Sequence, residues 1–263
     1  MRRSPDAAGA AGAASATGAA AATGAPNLLG ALDAMPAVGR GEYARFSAAE
    51  RWVHRATSTL MVLAILTAAF LYIPQLAELV GRRRLLVTVH EWSGVLLPVP
   101  LLLGLYFRSV RADLRRLNRF GPQDRGWAWR AMRHGNRRAG PAGKFNAGQK
   151  LYAALLAGLV VVMLGTGLIM WFPHLSALAY RTGASYVHDW LALVIGVLVL
   201  GHIRMALKDP EARHGMRTGR VSRAWARREH PLWADELEPA EESGATGDAD
   251  SAATRAADSA ERP

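Results

Sequence analysis

Four apolar blocks, each long enough to cross a bilayer, are separated by stretches that carry most of the charge. Residues 52–73, 85–107, 151–172 and 185–207 each reach the roughly 20 residues a helix needs to traverse hydrocarbon. The block 151–172 contains no charged residue. Its apolar side chains would run all round a helix, whereas a soluble bundle helix keeps a polar stripe. Pro98 and Pro100 predict a bend in the second helix, which membrane helices tolerate. The expected fold class is therefore all-α, an integral membrane four-helix bundle over residues 43–234. The Ala/Gly-rich segment 1–42 and the acidic tail 235–263 are expected to be disordered. The first segment holds no compact apolar core with a cleavage site, so no signal peptide is expected.

The formal net charge is +11. In a soluble chain this would suggest nucleic acid as a partner. Here the basic residues flank the apolar blocks, so membrane topology explains them and no nucleic acid is expected. Four arginines stand at the entry to the first block (Arg40, Arg45, Arg51 and Arg55), and Lys and Arg number twelve in 108–150 and seven in 208–230. The opposite side has four: Arg82, Arg83, Arg84 and Arg181. The positive-inside rule then places both termini and the long middle loop in the cytoplasm, as a multi-pass protein of the cell membrane. Arg82–Arg84 is a local exception, expected to meet lipid headgroups or a partner subunit.

Cysteine is absent. That excludes thiolate-held iron–sulfur clusters and covalent haem attachment within this chain.

Four histidines fall within the blocks: His54, His90, His188 and His202. Ionisable residues at membrane depth are functional candidates. His54 and His202 lie near the cytoplasmic ends of the first and fourth helices. His90 and His188 lie near the outer ends of the second and fourth. Fourteen residues separate His188 from His202, which places them within about 40° of one face and roughly 21 Å apart along the axis. Two stacked donors on one helix, each with a partner at its own depth, suit two haems of the b type. His90 and His188 would hold the outer haem iron and His54 and His202 the inner. Two axial histidines leave no open iron position, which suits electron transfer. The plainer alternative is that these histidines bond neighbouring helices or relay protons. Glu91 and Asp189 are expected in the first turns of their helices, where a carboxylate complements the dipole. His134, His174, His214 and His230 are expected to be solvated.

Asn146-Ala147-Gly148-Gln149-Lys150 opens the third helix. Asn146 with Gln149 three residues later reads as a capping box. The same amides beside His202 could instead meet a quinone carbonyl. Composition leaves both readings open.

Longer motifs carry a resemblance. Lys144-Phe145-Asn146-Ala147-Gly148-Gln149-Lys150, Thr166-Gly167-Leu168-Ile169-Met170-Trp171, the step from His188 to His202 with Ile203-Arg204-Met205-Ala206, Gly219-Arg220-Val221-Ser222-Arg223-Ala224-Trp225-Ala226 and His230-Pro231-Leu232-Trp233 resemble the gamma subunit of respiratory formate dehydrogenase, a cytochrome b556. The resemblance runs from about Tyr43 to Leu237. It implies an oxidoreductase complex of the anaerobic respiratory chain. There an alpha subunit with a molybdenum or tungsten molybdopterin oxidises formate, and an iron–sulfur beta subunit delivers electrons to the outer haem b. Electrons cross to the inner haem b and reduce menaquinone. Asn146, Gly148, Gln149 and His202 would line the quinone site, and the chain would carry no residue that acts on formate. Arg55 and Glu91 depart from the family pattern, which often has Trp after the first ligand and can have Pro after the second. The histidine pattern is shared with hydrogenase and thiosulfate-reductase cytochromes b. A nickel–iron hydrogenase cytochrome b, a haem-free membrane anchor or transporter, and a stand-alone transmembrane reductase are the competing readings.

Overall fold

In the computed structural model, which describes residues 28–135 and 139–238, four helices are long and apolar enough to cross a membrane. The elements in chain order are α1 (Leu28–Asp33), β1 (Glu42–Ala44), α2 (Ala48–Tyr72), α3 (Pro74–Val80), α4 (Arg83–Leu96), α5 (Val99–Gly104), α6 (Arg108–Leu117), α7 (Trp127–His134), α8 (Ala147–Trp171), α9 (Leu178–Lys208), α10 (Pro210–Thr218), β2 (Arg220–Ser222) and α11 (Arg223–Glu229). The spans are α2, α4 continued by α5, α8 and α9.

Hydropathy finds the spans but not their ends. α2 and α8 begin one turn before their apolar residues because each has a capping box. Ser47 Oγ accepts from Glu50 N while the Glu50 carboxylate accepts from Ser47 N. α9 begins at Leu178, ahead of the expected 185, and α4 at Arg83. Glu91 and Asp189 therefore lie well inside their helices, not in first turns, and the expected dipole contact does not apply. Pro98 and Pro100 lack the N–H that would close the ladder. The second span breaks there, and Leu102 N donates to Pro98 O at 3.0 Å where α5 resumes.

α2 packs along α4 and α8 along α9, giving two helical hairpins that meet through a thin middle layer. Met61, Leu97 and Ile195 are buried there, with Leu156, Leu159 and Met163 of α8 against them. Elsewhere the apolar side chains face outward, as at Val161 (70% exposed) and Leu200 (68%). Such a surface calls for hydrocarbon around it.

A small cap closes one end of the bundle. β1 pairs antiparallel with β2, Tyr43 opposite Val221. Tyr43, Val221, Trp225, Ala226, Trp233 and Ala234 form its core. Gly219 turns the chain from α10 into β2 at φ +87°, a backbone region that favours glycine. Its carbonyl accepts from Arg45 N at 2.7 Å and Phe46 N at 3.1 Å. The cap thereby joins the entry to α2 with the segment that follows α9.

Order begins before residue 43. Asp33, at the end of α1, accepts from Arg108 N (3.0 Å) and Ser109 N (2.9 Å), so a residue distant in sequence caps α6. Residues 231–238 are helical as well. The disorder expected of residues 1–27 and 239–263 lies outside the described residues.

Candidate functional site

The helical hairpins bring the four span histidines together in two pairs. The His54 and His202 rings, from α2 and α9, have centres 6.3 Å apart. The His90 and His188 rings, from α4 and α9, have centres 6.1 Å apart. Two imidazoles on opposite sides of one metal ion, each bonded through a nitrogen at about 2 Å, have their centres about 6 Å apart. Both pairs meet that spacing.

The donor set narrows the group that fits. Among the described residues no cluster of three or more His, Cys, Asp or Glu could hold a metal ion. Each pair offers two donors only, so a metal there must bring its remaining donors with it. A haem does this, its macrocycle supplying four nitrogens and leaving two axial positions for imidazole. A buried layer lies between the two histidine levels along the helices. Met61, Leu97 and Ile195 each stand seven residues from a histidine: from His54, from His90, and from both His188 and His202. Seven residues return a helix to nearly the same face, so each helix presents ligand and spacer in one stripe.

The surroundings of the two pairs differ. His90 Nδ1 lies 3.0 Å from Thr67 Oγ1 and 3.1 Å from Ala64 O. His188 Nδ1 lies 2.9 Å from Thr166 Oγ1. With Nδ1–H donating, Nε2 keeps its lone pair for a metal. His202 instead stacks on Tyr152, ring centres 5.2 Å apart and planes 13° apart. Trp92 and Trp171 meet edge to face at 5.9 Å near the His90 and His188 level, in keeping with an interfacial aromatic belt.

The amide motif sits at the capped end. Asn146 Oδ1 accepts from Gln149 N and Gln149 Oε1 accepts from Asn146 N, both at 2.9 Å. The capping box is therefore formed, and it uses each amide's oxygen. Gly148 faces α7. A Cβ there would run into Cη2 of Trp127, so only glycine lets the indole lie against the start of α8.

Both lysines flanking the motif are fixed by buried ion pairs. Lys144 Nζ meets Asp113 at 2.6 and 2.7 Å and Glu50 at 3.2 Å. Burial, with a hydrogen bond that the protonated group donates to Glu50, raises the Asp113 carboxyl to about 7. Lys150 Nζ meets Asp124 at 2.8 Å.

His230, expected to be solvated, is buried at 3% exposure. Its Nδ1 donates to Gly143 O at 2.7 Å, and its Nε2 accepts from Arg45 Nη2 at 3.2 Å. Burial and the Arg45 guanidinium push it down to about 3. Arg45 is itself surrounded by Phe46, Trp225 and Trp233, and burial lowers it to about 10. The same Nη2 donates to Lys144 O at 3.0 Å. The C-terminal segment thus holds the loop that leads into Asn146. Hydropathy could not find this contact, because His230 and Gly143 are 87 residues apart. Arg55, one of the departures from the family pattern, donates to Arg217 O at 3.1 Å and ties α2 to α10.

The cytochrome b556(Fdo) subunit of formate dehydrogenase from Escherichia coli K12 is 28% identical over 207 residues, covering 75% of this chain and 94% of the relative. The cytochrome b556(Fdn) subunit of nitrate-inducible formate dehydrogenase from the same strain is 27% identical, over 58% of this chain and 70% of the relative. A formate dehydrogenase cytochrome b556 subunit from Haemophilus influenzae is 27% identical over 60% and 66%. Residues 45–219, which run from the cap through all four spans, match the model of the prokaryotic cytochrome b561 family. The chain belongs to the prokaryotic cytochrome b561 family.

Proposed function

We propose that the chain is the membrane cytochrome b subunit of a formate dehydrogenase complex, carrying electrons from an iron–sulfur partner to menaquinone at the cytoplasmic face. Two histidine pairs with ring centres 6.1 and 6.3 Å apart, at two depths of one four-helix bundle, are the observation that carries this reading. The formate dehydrogenase relatives suggest the donor.

In this reading the imidazoles of His90 and His188 would hold the outer haem b iron, and those of His54 and His202 the inner. Haem at each level supplies reversible one-electron transfer. The chain's own residues set the direction and the end point. The layer of Met61, Leu97 and Ile195 keeps water and ions from passing between the two levels. Asn146, Gly148 and Gln149 lie with His202 at the cytoplasmic end and line the quinone site. The amide Nδ2 of Asn146 and Nε2 of Gln149 remain as donors toward a quinone carbonyl, since the capping box uses only the oxygens. Protons for the reduced quinone come from the cytoplasmic side, where the lysine- and arginine-rich segments lie. Formate oxidation belongs to the molybdopterin alpha subunit, and clusters to the beta subunit.

The test is purification of the complex from membranes. The expected result is a reduced-minus-oxidised b-haem band, two haems per chain, and co-purification of an iron–sulfur and a molybdopterin or tungstopterin subunit. A nickel-containing partner would replace formate as donor. Absence of the haem band would refute the reading. His90→Ala should leave one haem and stop electron entry from the partner.

A further inference from the structure

Two threonines occupy matching places in the two hairpins. Thr67 lies on α2, the first helix of its hairpin, and Thr166 on α8, the first of the other. Each is turned back on its own helix. Thr67 Oγ1 donates to Leu63 O (2.6 Å), with Ala64 O at 3.1 Å. Thr166 Oγ1 donates to Val162 O (2.9 Å), with Met163 O at 3.1 Å. A hydroxyl has one proton, so a hydroxyl committed to its helix carbonyl offers only lone pairs outward. In both hairpins an imidazole of the next helix fills that place: His90 Nδ1 at 3.0 Å from Thr67 and His188 Nδ1 at 2.9 Å from Thr166. The separations along the chain are 23 and 22 residues. One device is built twice, from different helices, on the two members of one pair.

The other pair lacks it. Among the described residues no hydrogen bond to a ring nitrogen of His54 or His202 is formed, and His202 is held by its stack on Tyr152. The planes of His90 and His188 cross at 73°, those of His54 and His202 at 47°.

We infer that Thr67 and Thr166 are positioning residues that, with the helix carbonyls beside them, fix the tautomer and ring plane of His90 and His188, so that the outer pair is held crossed by hydrogen bonds while in the inner pair His202 is held by its stack on Tyr152. The inference rests on the haem reading given above. The physical reason has two parts. A donor proton tied at Nδ1 commits the lone pair of Nε2 to the metal and stops the ring from rotating about Cβ–Cγ. In low-spin ferric iron between two imidazoles, the angle between the ring planes sets the splitting of the iron d orbitals. Crossed planes give a large, isolated low-field g-value, and planes nearer alignment give a rhombic spectrum. A threonine that merely bent its helix through the back-bond would leave that signature alone.

The experiment is electron paramagnetic resonance of the oxidised complex isolated with the full chain, with haem content measured alongside. The signal lost in His90→Ala identifies the outer haem. Thr67→Val and Thr166→Val keep the shape of the side chain and remove the hydroxyl. The expected result is two haems, a shifted or broadened low-field signal from the outer haem, and an unchanged inner signal. Thr67→Ser and Thr166→Ser should restore the native spectrum. Loss of the outer haem in the valine variants with its retention in the serine variants also supports the inference. Valine variants with two haems and native spectra would overturn it. So would loss of the outer haem in valine and serine variants alike, since the methyl group would then be what matters. A wild-type complex without b haem would overturn the haem reading itself, and this inference with it.

Discussion

Arg45 Nη2 donates to His230 Nε2 at 3.2 Å, joining the residue that enters the first span to a residue beyond the last. The imidazole can accept only while it is neutral, because its other nitrogen already donates to Gly143 O. This contact makes the cap, and with it the loop before Asn146, sensitive to acid.

The sign follows from the direction of the shift. The His230 pKa falls from 6.5 to about 3 on folding, so between those values the unfolded chain binds a proton that the folded chain does not. Stability is complete above pH 6.5 and is lost progressively as the pH falls toward 3. The expected outcome is that the stability His230 confers, read as the difference in unfolding temperature between the wild type and His230→Gln by tryptophan fluorescence, shrinks as the pH falls across that window.

Asp113 acts in the opposite sense. Its carboxyl rises from 3.8 to about 7, so the folded state holds a proton that the unfolded state releases. Its contribution weakens stability as the pH rises from about 4 to about 7 and is constant above. Asp113→Asn should remove that slope while retaining a hydrogen bond with Lys144. A wild type and an Asn variant with the same pH profile would contradict the assignment.

Lys144→Met tests the same cluster from the other side. It strands the buried Asp113 and Glu50 carboxylates beside one another. Removing one partner of a buried pair costs about 3–5 kcal/mol, so a large drop in unfolding temperature is expected. Asp113→Asn combined with Lys144→Met should recover part of it.

Gly148→Ala drives a methyl group into the Trp127 indole, which lies directly against the glycine. Overpacking of this kind costs about 1–3 kcal/mol. The expected outcome is a displaced α7, slower quinone reduction and unchanged haem content. Trp127→Leu combined with Gly148→Ala should relieve the clash and restore much of the stability.

Gln149→Glu separates the two readings of the amide motif. Glutamate keeps the oxygen that accepts from Asn146 N, so the capping box and helix stability should survive. It lacks the amide donor. Slower quinone reduction with two haems and unchanged unfolding is expected if Gln149 meets the quinone. Native quinone kinetics would return the residue to capping alone.

Much of this protein was legible in one dimension. Hydropathy located the four spans because a bilayer demands long apolar helices wherever they pack. The depths of His54, His90, His188 and His202 followed from rise per residue, and the resemblance to formate dehydrogenase cytochromes from short motifs. The ends of α4 and α9 were not legible, since a helix extends past its apolar stretch wherever its backbone finds no reason to stop. His230 was misjudged for a related cause. A histidine among arginines reads as solvated, and only its burial against Trp225 and Trp233 reveals otherwise.

The sequence by itself determined the four spans, the stripe that places His188 above Ile195 and His202, and the lysine- and arginine-rich segments beside the amide motif. These depend on helical periodicity and on hydrophobic transfer, which are local properties. Tertiary structure alone decided that His90 and His188 meet threonine hydroxyls while His202 meets the ring of Tyr152. It also decided that Arg45 and His230 close the cap. Such contacts depend on the rotation and approach of helices far apart in the chain, and hydrogen bonds of about 3 Å register those displacements where hydropathy does not.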